Sequence, residues 1–283
     1  MIDITKAKKA FKEYIQNYDI NNPKVKLKIA HIERTANIAR KTAESLNLEK
    51  EDIELAELIG LLHDIGRFEQ VKRYNTFADH LSENHAKLGV DILFEENLIR
   101  EFIEDNQYDR IIKLAILNHN KDKKDITKNI TEKEKLHIKL IRDSDKTDII
   151  YLLTFEDKKA AWEKEDLSGE VFTEEIYREF IEDKTIFYPN MQTYADRLIG
   201  HFAFAYDFNY QYGLKIIYNN KYYTKIYNRF KFNNKKTEEE FKNIYEITIN
   251  YIKERLNKND VRYSKNREKF ILYSESYNLK MKI

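Results

Sequence analysis

Residues 61–67 read Leu61-Leu62-His63-Asp64-Ile65-Gly66-Arg67, an imidazole and a carboxylate side by side at the end of an apolar run. The preceding stretch, Asp52 to Gly60, carries apolar residues at three- and four-residue spacing, which predicts a helix, and Gly66 is a natural place for that helix to stop. Successive helical residues lie about 100° apart around the axis. His63 and Asp64 can therefore converge on one ion from the last turn, with Arg67 just beyond.

The rest of the chain suits an all-α protein. It has 283 residues, 42% of them hydrophobic and 13% aromatic, which is ample for a proper core. Two prolines and six glycines leave little turn punctuation. Lys and Arg number 50 against 49 Asp and Glu, so no global field favours nucleic acid or a membrane surface. The absence of cysteine removes disulfides, thiolate metal sites and Cys nucleophiles together. With no apolar N-terminal leader and no apolar run long enough to span a bilayer, a cytoplasmic protein is expected.

Outward from the His63-Asp64 pair, amphipathic helices are predicted over residues 4–18 and 24–46. His31 and Arg34 sit one turn apart beside the apolar stripe of the second. Residues 67–80 are too irregular to assign to helix or strand. Helical period returns from Leu81 to about Asn97, with His85 near its start, and another apolar helix from about Asp109 ends at Asn118-His119-Asn120. A helix over 132–154 is interrupted by Asp143, Asp145 and Asp148. Asp145 lies four residues from both Ile141 and Ile149, so it shares their face. An ionised carboxylate there is costly unless a cation or several donors meet it. Asp143 and His137 fall off that line and are expected in solvent.

Past residue 155 the composition shifts. The polar stretch 156–169, with the sole Trp162, reads as a link; Thr173 opens a helix, and Pro189 breaks the chain. Residues 190–230 are dense in aromatics, read as helical core and cover in preference to a nucleobase-stacking platform. His201 belongs with them. A further amphipathic helix covers 237–256, and a Lys/Asn-rich tail or docking segment follows from 257. There is no internal repeat, Gly-rich phosphate loop or supported serine nucleophile.

A His, a later His-Asp pair and a distant Asp, each on its own helix, resemble the HD superfamily of metal-dependent phosphohydrolases. The resemblance covers about residues 20–155, and implies an HD-domain helical bundle over 1–155 with a helical, aromatic-rich C-terminal extension over 156–283. Carried over by position, His31, His63, Asp64 and Asp145 would ligate one metal ion. Relatives with two metals use further histidines between the pair and the last Asp, here His85 and His119, with Asp64 bridging the ions. His80 competes with His85 for that role. Asp148 and Glu69 are candidates to orient a histidine or a water.

Imidazole and carboxylate donors without thiolate suit one or two divalent ions such as Mn, Fe, Co, Ni or Mg. Such an ion makes hydroxide available near neutral pH, so phosphorus can be attacked without a protein nucleophile. Asp64 would be central to catalysis, with Arg67, Lys146 and Arg34 as candidate phosphate clamps. The expected activity is hydrolysis of a small phosphorylated substrate, a nucleotide or similar ester, as phosphomonoesterase or phosphodiesterase. A nuclease acting on single-stranded nucleic acid is less favoured by the near-neutral charge. A nucleotide-sensing HD protein without turnover is the other alternative.

Overall fold

The computed structural model describes residues 2–122, 125–158, 164–183, 186 and 188–257; Trp162 and nearly all of the C-terminal tail from 257 lie outside the described residues. Among the described residues the regular secondary structure is all helical, with no strand, as composition predicts. Helix α1, Ile4–Ile15, starts where the Asp3 side chain accepts from the Lys6 amide. α2, Pro23–Ser45, has Asn22 as its cap and Pro23 in its first turn, where a missing N–H costs nothing. α3, Lys50–Leu62, packs along α2, and α4, Gly66–Tyr74, follows after a turn at His63-Asp64-Ile65.

Gly66 thus begins a helix where the sequence suggested that one stops. A Cβ on Gly66 would lie 2.4 Å from the His85 carbonyl oxygen and 2.5 Å from the Gly89 amide nitrogen. The glycine is there so that α4 can pack against α5, His85–Val90. α4 itself was unreadable because only Phe68, Gln70 and Val71 beside Gly66 are buried, too few for a periodic signal in a polar stretch. It ends on Asn75 in the left-handed region, φ 52°.

The helix expected over 81–97 is shorter. α5 is capped by Asn84 and passes into a π-helical turn at Asp91–Glu95. After the short α6, Ile99–Phe102, comes α7, Asp109–Asn118, and then α8, Glu132–Phe155, fixed at its start by a reciprocal pair: Thr131 accepts from the Glu134 amide and Glu134 from the Thr131 amide.

α8 is the axis of the molecule. Its first half packs on α2, α3 and α7, where Ile138 and Ile141 join a core built from α1–α7; Ile150 and Leu153 join a second core. That second core is formed with α9 Glu174–Asp183, α10 Tyr194–Ala203, α11 Gln211–Asn219, α12 Tyr222–Arg229 and α13 Lys235–Leu256. The aromatics of 190–230 fill it: Phe202, Tyr223 and Ile226 are fully buried, and Phe202 also rests against Phe241.

Covered from both sides, α8 buries every residue from Leu140 to Asp148. Two sequence expectations fail for this reason. His137 is buried, with Nε2 3.1 Å from Asp52 Oδ1. Asp143 is also buried, and its carboxylate accepts from the backbone amides of Asn209 and Tyr210 and from the Asn209 side chain. A stripe-based reading assumes one wet face, which this helix lacks.

Because backbone atoms meet the would-be side chain, Gly66→Ala should destabilise the protein by about 1–3 kcal/mol, whereas Gly169→Ala, with no atom within 4 Å, should cost almost nothing. Urea unfolding midpoints check this. Equal midpoints for the two variants would contradict the packing argument.

Candidate metal centre

Six side chains named in the sequence reading as ligands come together in one buried site. His31 comes from α2, His63 and Asp64 from the turn after α3, His85 from the first residue of α5, His119 from the end of α7 and Asp145 from α8. Each imidazole is oriented by what its Nδ1 does. His63 Nδ1 donates to the Gly60 carbonyl at 2.8 Å, and His119 Nδ1 to the Ile116 carbonyl at 2.7 Å. A carbonyl oxygen only accepts, so the proton is on Nδ1 and the Nε2 lone pair is left facing inward. His31 Nδ1 meets Asp148 Oδ2 at 2.7 Å, and His85 Nδ1 meets Asp79 Oδ2 at 2.7 Å. All four rings are pinned from behind, which is how metal-ligating histidines are held.

The inward atoms form two groups about one carboxylate. His31 Nε2 lies 3.3 Å from His63 Nε2 and 3.2 Å from Asp145 Oδ1, and His63 Nε2 is 3.6 Å from the same oxygen. Asp64 Oδ2 completes this group at 3.5 Å from His31 Nε2. On the other side, Asp64 Oδ1 lies 3.4 Å from His85 Nε2 and 3.7 Å from His119 Nε2, which are 3.0 Å apart. Donors bonded to one ion at about 2.1 Å stand about 3.0–3.4 Å apart in octahedral or tetrahedral arrangements, so the spacing is that of a ligand shell. Both His31-His63-Asp145 and His63-Asp64-His119 have their donor atoms mutually within 4.8 Å.

The donor set itself fits a cation. Two pairs of imidazole nitrogens in near contact repel unless a proton or a metal lies between them, and Asp64 Oδ1 is a buried acceptor with no hydrogen bond. Burial opposes charge on Asp64, yet Lys28, His63, His31 and Arg67 around it outweigh this and hold it well below the usual carboxylate range. Asp145 is held low in the same way by His31 and His63 against its burial. Burial, with His85 and His63 beside it, pushes His119 down to about 3, and burial and Arg67 lower His85. Those two rings are neutral and ready to ligate. His31 differs: burial and Lys28 disfavour its charge, but Asp145, Asp148 and Asp64 together raise it to about 10. Without metal, an imidazolium at His31 supplies the cation that the carboxylates require.

Residues expected around the ligands fall in several places. Asp148 takes His31 Nδ1 on one oxygen and Arg34 Nε at 2.6 Å on the other, so Arg34 anchors the carboxylate that orients a ligand. Lys146 is buried and paired with Asp207 at 2.6 Å, which also receives Arg142. Arg67 Nη1 is shared among Gln70, the Phe77 carbonyl and Asp79, while its Nε stays 3.5 Å from Asp64 Oδ1. Glu69 is turned away, bonded to Arg73 and Tyr18. His80 is exposed and outside the site, so His85 takes the position for which both competed.

Two residues were missed. Asp79, behind His85, lies in the loop that carried no signal. Lys28, one turn before His31 on α2, places Nζ 2.6 Å from Asp64 Oδ2, a long-range pairing that no local pattern signals.

Residues 29–150 match the family model of the HD domain. The span holds all six candidate ligands and ends within α8. HD domains are metal-dependent phosphohydrolases as a superfamily, and the buried His/Asp cluster fits such a metal site. No curated protein and no solved structure matches the chain. Among the described residues, no helix is long and apolar enough to cross a membrane.

Since the folded-state pKa of His31 lies above its ordinary 6.5, its charge stabilises the metal-free protein fully below pH 6.5, and this contribution is lost as pH rises through 10. The stability gap between wild type and His31→Gln, both metal-free, should therefore narrow from pH 6.5 toward pH 10. Thermal unfolding at several pH values measures it. A gap that stays constant would contradict the charged ring.

Proposed function

We propose that this protein is a metal-dependent phosphohydrolase, a phosphomonoesterase or phosphodiesterase acting on a nucleotide or a similar small phosphate ester in the cytoplasm. The observation that supports it is Asp64, whose two oxygens face separate groups of inward imidazole lone pairs, one completed by Asp145. His31, His63, Asp64 and Asp145 would hold one ion; His85 and His119, sharing Asp64, would hold a second. A bound divalent ion of this kind polarises phosphoryl oxygens and brings the pKa of water toward neutrality.

The chain's own contribution is placement. Asp148 and Asp79 keep His31 and His85 with Nε2 forward, and the Gly60 and Ile116 carbonyls do so for His63 and His119. Arg34 holds Asp148, and Arg67 holds Asp79. Removing the water that would otherwise surround these groups strengthens every charge interaction with an incoming phosphate. The complete set of donors argues against a decayed site.

Nucleoside monophosphates, triphosphates, cyclic dinucleotides and short oligonucleotides, tested with Mn²⁺, should reveal turnover, and Asp64→Ala should lower kcat/KM by about a thousandfold or more. Turnover that survives the substitution would place the activity elsewhere and defeat the proposal.

A further inference from the structure

The cations of the site divide by what holds them. Arg34 is bound through Nε and Nη2 to both oxygens of Asp148, at 2.6 and 3.1 Å. Lys146 is buried against Asp207 and lies over the Phe204 ring. Arg67 is tied at Nη1 by three acceptors. Arg34 and Lys146 would have to break bonds to non-ligand groups before reaching a substrate, whereas Arg67 is fixed by its Nη1 bonds, with its buried Nε, which makes no hydrogen bond, 3.5 Å from Asp64 Oδ1. Lys28 is arranged differently. Among the described residues its one hydrogen-bond partner is Asp64 Oδ2, the oxygen that faces His31 and His63. Its side chain is 12% exposed, and its ammonium lies 5.2 Å from the centre of the Phe77 ring.

Resting on the phosphohydrolase reading, we propose that Lys28 is the phosphate-gripping residue of this site, and that it exchanges Asp64 for the substrate when metal binds. An ion held by His31, His63 and Asp145 would compete for the lone pairs of Asp64 Oδ2 that Lys28 now uses. The ammonium would then lose its counter-charge beside a divalent ion, in a setting only slightly wet. An anion beside the metal relieves this. A phosphate bound there would give Lys28 a new partner, which would couple substrate affinity to metal loading. The long, flexible stem of lysine, lying against Phe77, permits the ammonium to move where an anchored guanidinium is fixed.

Calorimetric titration of the full chain, first with Mn²⁺ and then with inorganic phosphate on the Mn-loaded protein, separates this from a merely structural ion pair. In Lys28→Met and Lys28→Gln, Mn²⁺ should bind about threefold tighter or more, since it no longer displaces or faces an ammonium, while phosphate should bind about tenfold more weakly. Lys28→Arg should keep most of the phosphate affinity. Lys28→Gln retains a donor for Asp64, so a folded variant is available if the apolar one fails to fold. Unchanged or weaker Mn²⁺ binding, or unchanged phosphate binding, in either folded variant overturns the assignment. Wild type that takes up no Mn²⁺ defeats the phosphohydrolase reading itself; wild type that binds both, with variants that bind both equally well, defeats only the role of Lys28.

Discussion

The carboxylate of Asp64 sits 2% exposed among four imidazole rings, an ammonium and a guanidinium, and the rest of the site is arranged to make that possible. An isolated buried carboxylate would be neutralised or expelled. Here it stays ionised because cations approach it from several helices, and those helices are held in place by the packing of α2, α3 and α8 and by the close seating of α4 on α5 through Gly66. Fold and site are in this sense one problem: the bundle brings opposite charges together, and their attraction offsets the cost of burying them.

α8 links that problem to the C-terminal half. Its acidic run serves three different ends on successive faces. Asp145 faces the ligand cluster, Asp148 steadies His31, and Asp143 receives the chain at Asn209 and Tyr210. Arg142 adds a fourth tie, donating to the carbonyls of Asn118 and Lys121 beside His119 and to Asp207. The helices after residue 170 therefore brace the backbone that carries two of the candidate ligands. Their aromatic density is explained by the second core, with Phe202, Tyr223 and Phe241 at its centre.

Much of this was legible in the sequence. Apolar periodicity located α2, α3, α7 and α8, and the six ligand candidates stood out as polar groups at the edges of apolar faces. Asp145 was the clearest, since its register with Ile141 and Ile149 called for a cation or several donors nearby. What failed did so for physical reasons. α4 presents too few buried residues to register as periodic, Gly66 marks a close approach to α5 that no local pattern encodes, and His137 and Asp143 look solvated only if α8 has a wet face. Lys28 was overlooked because lysine on a helix is ordinarily a solvated charge, and only the long-range pairing with Asp64 distinguishes it.

The central claim is that Asp64 and the surrounding imidazoles hold divalent metal. Anomalous diffraction from manganese-equilibrated crystals tests it most directly. The account predicts a peak about 2.0–2.3 Å from Asp64 Oδ2, Asp145 Oδ1 and the Nε2 atoms of His31 and His63, with a second beside Asp64 Oδ1, His85 and His119 if the centre is binuclear. Manganese found only at surface carboxylates, with no peak against Asp64, would contradict it.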